Sequence, residues 1–190
     1  MIHPIYVYGM PVLRKVALDI DEDYEGLDQL IEDMYETMYN AEGLGLAAPQ
    51  IGLPIRLIVI DGSRMEADDN DEETRELSGF KKILINPHII EETGIEWEFN
   101  EGCLSIPVVR EDVKRKPEVL IRYQDENFET FEEKFEGLKA RVIQHEMDHV
   151  NGILFTDRIS PLRKRLLNKK LKEISKGITE ASYKIKFPKK

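Results

Sequence analysis

The chain has 190 residues, 41% of them hydrophobic, with seven Phe, seven Tyr and one Trp, which is enough to fill the core of one domain. A net charge of −10 argues against specific DNA binding, and no apolar run approaches the roughly 20 residues of a membrane span. A single cysteine, Cys103, excludes an internal disulfide, and the opening MIHPIYVYGMPVLRK lacks a basic start followed by an apolar stretch, so a reducing, cytoplasmic location is expected.

Residues 26–40, GLDQLIEDMYETMYN, place Leu27, Leu30, Ile31, Met34 and Met38 at helical spacing and predict an amphipathic helix packed on a sheet. GLGLAAPQIG (43–52) follows, an open backbone of small residues beside the polar Gln50. Such a stretch can pair with an extended peptide and offer a neutral amide to a developing oxyanion. A phosphate cradle is the rival reading, although no lysine follows the glycines.

Strands are predicted at 55–61, 82–86, 94–99 and 118–123, with 128–135 a weaker candidate. Between the first two, 62–80 is too polar for a core and predicts an exposed loop. EGCLS (101–105) comes directly after an aromatic strand. Gly102 there allows a turn that aims the Cys103 thiol inward and brings a neighbouring backbone N–H to the same place. The plainer reading is a buried, inert cysteine.

Residues 137–152 predict a second helix with Leu138, Val142, His145 and His149 on one stripe. Ser160 and Pro161 read as N-cap and first residue of a third, 161–176, whose apolar face is Leu162, Leu166, Leu167, Leu171 and Ile174 and which Gly177 ends. This order predicts an α+β fold: one domain over 1–190, antiparallel or mixed sheets around a central histidine helix, with an N-terminal and a C-terminal helix. From Pro161 onward eleven Lys or Arg face two Glu, so that segment carries +9 and the rest of the chain −19. A basic tail of this kind is either a solvated helix face or a docking element for an anionic partner.

QHEMDH (144–149) is the strongest chemical signal. Residues four apart lie one turn above each other, so His145 and His149 can aim at one point, and Glu146, about 100° round the helix, can reach a water there as a general base. The pair is either metal-binding or hydrogen-bonded core. A metallopeptidase of the extended type needs a third histidine where this chain has Phe155. Glu173 lies among lysines, and His3 and His88 have no motif around them. Cys103 is the best remaining ligand, completing a Cys-His-His set with one open position.

GLGLAAPQ, EGCLS and QHEMDH, in this order and at these separations, resemble the three signature motifs of the peptide deformylases, over roughly residues 1–165. The loop at 62–80 is longer than is usual in that family. The resemblance implies removal of the formyl group from the N-terminal formyl-methionine of new polypeptides, with release of formate. It also implies Cys103, His145 and His149 as metal ligands, Glu146 as acid and base, and Gln50 with the backbone N–H of Leu104 as oxyanion donors. Leu44, Phe99, Leu104, Leu138 and Val142 are implied to line the methionine slot, near Arg141. Backbone of Leu44, Gly45 and Gly102 would hold the peptide, and Arg115 would support Glu101. For the slot residues plain core packing is an equal alternative. Ferrous iron is the implied metal, replaceable by nickel, cobalt or zinc, whereas ligand spacing alone suggests zinc. Nascent chains and, through the basic helix, the ribosome are the implied partners. A zinc peptidase and a noncatalytic RNA- or ribosome-binding protein are the rival functions.

Overall fold

A computed structural model describes residues 1–63 and 72–188. In chain order the elements are β1 (Ile5–Tyr6), α1 (Leu27–Asn40), β2 (Gly45–Ala47), β3 (Leu57–Asp61), α2 (Glu72–Leu77), β4 (Lys81–Thr93), β5 (Trp97–Cys103), β6 (Ile106–Arg115), β7 (Glu118–Gln124), β8 (Thr130–Glu136), α3 (Gly137–Val150), α4 (Pro161–Ile174) and β9 (Ile185–Lys186). The α+β reading holds. Five strands form an antiparallel sheet ordered β2-β3-β4-β7-β8, β5 and β6 form a separate hairpin, and β1 pairs in parallel with β9.

The apolar run LIVID of β3 shows why the histidine helix is central. Alternate side chains point to opposite faces of a strand. Ile58 and Ile60 pack under α3 with Leu84, Ile121, Ile143 and Met147, while Leu57 and Val59 pack under α1 with Ile31, Met34 and Met38. The sheet is therefore covered on both sides here, and α3 is buried along most of its length. A third cluster joins the β5–β6 hairpin to the C-terminal helix through Ile106, Val113, Phe155, Leu171 and Ile174.

Several boundaries differ from expectation. The 82–86 strand extends over Lys81–Thr93, because register shifts after Ile85 and Ile89 carry it past Pro87 with Asn86 at φ 51°. The 94–99 strand starts at Trp97, after a turn at Gly94, and runs through Cys103. Gly102 therefore lies within the strand at its register shift, and the chain reverses at Leu104 and Ser105. The 62–80 stretch is only partly loop: 64–71 lie outside the described residues, but Glu72–Leu77 is helical, and Leu77 and Phe80 are buried. That segment also serves the histidine helix. Gly137 begins α3 at φ 57°, and Glu76 Oε1 accepts the backbone N–H of Leu138 at 2.6 Å, placing a carboxylate at the helix N-terminus.

In α4, Ser160 Oγ accepts the Arg163 N–H at 3.3 Å, as an N-cap should. Its apolar face is shorter than predicted. Leu171 and Ile174 are buried, but Leu162 and Leu166 are 67% and 65% exposed, because only the second half of the helix docks on the hairpin.

Candidate metal centre

Cys103 closes β5, and His145 and His149 stand one turn apart on α3, beneath it. Their ligand atoms all lie within 4.8 Å of one another, with Cys103 Sγ 3.2 Å from His149 Nε2. A thiolate with two imidazoles is a tetrahedral donor set with a fourth position left over. His145 Nδ1 lies 2.9 Å from Glu101 Oε2; its N–H donates to the carboxylate, which leaves the Nε2 lone pair for a ligand bond. The three donors fit a single divalent ion.

Behind them sits a buried brace. Glu101 Oε1 and Oε2 accept from Arg115 Nε and Nη2 at 2.7 and 2.8 Å, and Oε1 also accepts from Arg141 Nη1 at 3.0 Å. Arg115 Nη1 donates to Asp148 Oδ2 at 2.8 Å, and Arg158 Nε meets the same oxygen at 2.6 Å. Burial alone would raise the Glu101 pKa, yet the bonds from Arg115 and His145 hold it well below the usual carboxylate range. Glu101 therefore remains charged, and Glu101 and Asp148 each fix a side of the ligand helix.

Glu146 has no such partners. It is 5% exposed, its Oε2 has no hydrogen-bond partner among the described residues, and burial pushes its pKa up to about 7 against the pull of His145 and Arg115. A Cβ at Gly45 would lie 2.7 Å from Glu146 Oε1, so only glycine lets β2 come this close. Gln50 is oriented by its own backbone: Oε1 accepts the Ala47 N–H at 2.8 Å. The amide NH₂ therefore faces Ser105 Oγ at 3.3 Å and Cys103 Sγ at 3.8 Å.

These groups open into a cleft of about 460 Å³, whose wall includes Leu44, Phe99, Leu104, Leu138 and Val142, with backbone of Gly45 and Gly102 beside them. Arg141 adds a cationic wall: its guanidinium lies 4.4 Å from the Trp97 ring centroid, it is 3% exposed, and its Nε has no partner among the described residues. His149 is buried at 1% exposure, and Arg115 lies in the brace. The other candidates fall elsewhere. His3 meets Asp33 and His88 meets Asp19, while Glu173 sits with Lys169 and Lys172 on a surface groove. Phe155, where a third histidine would be needed, stacks on His145 with centroids 6.3 Å apart.

Sequence reasoning passed over Ser105, Asp148 and Arg158. Asp148 stood inside QHEMDH, but its partners Arg115 and Arg158 lie outside that motif, so local spacing gave no sign of its role. It also passed over residues 180–183, which line the cleft from the far end of the chain.

A model of the polypeptide deformylase family matches residues 2–165. The peptide deformylase of Christiangramia forsetii is 56% identical over 190 residues, covering 99% of this chain and 97% of the relative. That of Flavobacterium johnsoniae is 58% identical, covering 98% and 96%. The crystal structure of peptide deformylase from Thermus thermophilus superposes with a TM-score of 0.80 at 40% identity, over 93% of this chain and 99% of that one. With the metal centre, the cleft and matches across nearly its whole length in agreement, this chain belongs to the polypeptide deformylase family.

Proposed function

We propose that the chain hydrolyses the formyl amide at the N-terminus of newly made polypeptides, releasing formate and a free methionine amine. The observation that carries this is the pairing of a buried, unpartnered Glu146 carboxylate with the Cys103-His145-His149 cluster at the base of one cleft. Cys103 Sγ and the Nε2 atoms of His145 and His149 would hold the metal. When bound, a divalent ion supplies a Lewis acid that polarises a carbonyl and lowers the pKa of water and of neighbouring acids.

The chain's own groups do the rest. Glu146 takes a proton from water as the oxygen bonds to the formyl carbon, and gives it to the nitrogen as the carbon–nitrogen bond breaks. Burial raises its pKa and a bound cation would lower it again, so the two opposing influences keep a carboxylate that can both take and return a proton. The Gln50 NH₂ and the Leu104 N–H donate to the oxygen on which negative charge develops. Leu44, Phe99, Leu138 and Val142 take the methionine side chain. β2 is the edge of its sheet, so its backbone can pair with an extended peptide.

Ferrous iron is the ion we assign, with nickel, cobalt or zinc able to replace it. Cys103→Ser should then lose metal on dialysis, and air should inactivate the iron form faster than the nickel form. A serine variant that keeps its metal and works normally removes Cys103 from the ligand set. Among the described residues no helix is long and apolar enough to cross a membrane, and action on nascent chains places the protein in the cytoplasm. The lysine face of α4, with Leu162 and Leu166 exposed on it, supports contact with ribosomal RNA beside an otherwise acidic body. Replacing the outward Lys and Arg of 163–172 by Gln, with Arg163 and Lys164 left in their pairs with Glu111 and Asp157, should weaken co-sedimentation with ribosomes. Unchanged binding at low salt discards that contact.

The reaction itself is tested by formate release from a formyl-methionyl tripeptide with protein prepared without oxygen. Turnover that stops on chelation is expected. No formate from protein with its metal bound contradicts the reading.

A further inference from the structure

The family match ends at residue 165, yet the chain beyond α4 returns to the cleft. It turns at Gly177, φ 77°, and β9 then pairs in parallel with β1, the N–H groups of Ile5 and Val7 donating to the carbonyls of Lys184 and Lys186 at 2.9 Å. The strand it joins is itself tied to the site, since the Tyr8 N–H donates to the Ser105 carbonyl at 2.8 Å. Between the turn and β9, residues Glu180, Ala181, Ser182 and Tyr183 line the cleft. Tyr183 Oη donates to the Leu104 carbonyl at 2.7 Å, across 79 residues of sequence.

We propose that Glu180–Tyr183 forms a wall of the subsite for the residues that follow the formyl-methionine, with Tyr183 positioning the Leu104 turn and Glu180 disfavouring acidic residues there. This rests on the deformylase reading. That reading puts the formyl group at the ligand cluster and the first side chain in the apolar slot, so the remaining peptide must leave through the mouth of the cleft. The exposed charges among its lining residues are Glu42, Arg110 and Glu180. Arg110 is turned back onto Asn100, donating to Oδ1 at 2.8 Å and to the carbonyl at 2.6 Å. Glu180 has no ion pair among the described residues, and Arg110 is held against Asn100, so the exposed lining offers two carboxylates against one guanidinium, a net negative field for a peptide on leaving. Ala181 and Ser182 are small enough to leave the backbone within reach of a passing chain. Tyr183 holds the same turn that carries the Leu104 N–H, so a displaced tail would also disturb the oxyanion donors.

The test uses the full-length, metal-loaded protein and compares kcat/KM for formyl-Met-Lys-Lys and formyl-Met-Glu-Glu. The unaltered protein should prefer the lysine peptide, less so as salt is added. Glu180→Lys should lower the preference by roughly fivefold, the effect of a partly screened charge pair. An unchanged ratio overturns the charge assignment. Tyr183→Phe removes one oxygen, and should reduce kcat/KM for tripeptides by more than it does for formyl-methionine amide. An equal effect on both substrates overturns the place of Tyr183 in the subsite, and no effect on either overturns its positioning role. Failure of the deformylase reading would look different, because the unaltered protein would then release no formate from any of these substrates.

Discussion

Two sets of ion pairs in this molecule have nothing in common but their charges. Behind α3, Glu101, Arg115, Arg141 and Asp148 are each at most 5% exposed, and every one meets at least two partners. On the β7–β8 ribbon, Arg122 pairs with Glu132 and Lys134 with Glu118, with side chains 33–58% exposed. The first set is costly to assemble, because each charge must give up water. What it provides is orientation: Glu101 fixes the tautomer of His145, and Asp148 and Arg115 fix the turn of helix that carries both histidines. The second set costs little and positions nothing at the site.

If that contrast is right, Glu101→Ala should have the largest structural effect, since it takes the carboxylate partner from the buried Arg141 and two hydrogen bonds from Arg115. We expect a loss of about 3–5 kcal/mol of stability and a 10–100-fold fall in metal affinity, read by urea unfolding and metal titration. A loss under about 1 kcal/mol would erase the distinction between the two sets.

An intermediate case sharpens it. Asp157 joins Arg14, Lys164 and the Leu154 N–H, with its side chain 27% exposed. Burial raises its pKa, but those partners outweigh burial and bring it from 3.8 to about 2. A carboxylate depressed on folding contributes stability that is complete above its unfolded pKa. That contribution is lost as pH falls from about 4 toward 2. After allowance for solvent screening it is about 1–2 kcal/mol. Asp157→Asn should remove this much at pH 7 and little at pH 2, in paired denaturation curves. A pH-independent difference would show that the charge is not responsible.

The smallest effect should come from Arg122→Gln or Lys134→Gln, within about 0.5 kcal/mol and with turnover unaltered. A larger loss would mean that the exposed ribbon contributes more than its geometry implies.

The same contrast explains what could be read from the sequence. The ligand helix was legible because His145, Glu146 and His149 report through local spacing, and β3 because its apolar run is continuous. β6 was not. Along Ile106–Arg115 buried and exposed positions alternate as a strand should, but buried positions are also held by Glu111 and Arg115, which pair with Arg163 and with Glu101. Charges serving long-range brackets erased the apolar alternation that marks a strand. α2 hid in a polar run for a similar reason, its Glu76 being needed at the start of α3. The return of 180–183 to the cleft depends on pairing between the two ends of the chain, about which neither end carries a local signal. Leu162 and Leu166 misled in the opposite direction, since helical spacing shows which residues share a face but not how much of that face is covered.

The central claim is that Glu146, the buried carboxylate left without a hydrogen-bond partner on Oε2 among the described residues, moves the proton. Glu146→Gln keeps the shape and removes the base, so metal content and formate release should be measured on the same preparation. The account predicts full metal occupancy with turnover reduced by about 100-fold or more. A variant that holds its metal and retains substantial turnover would contradict it.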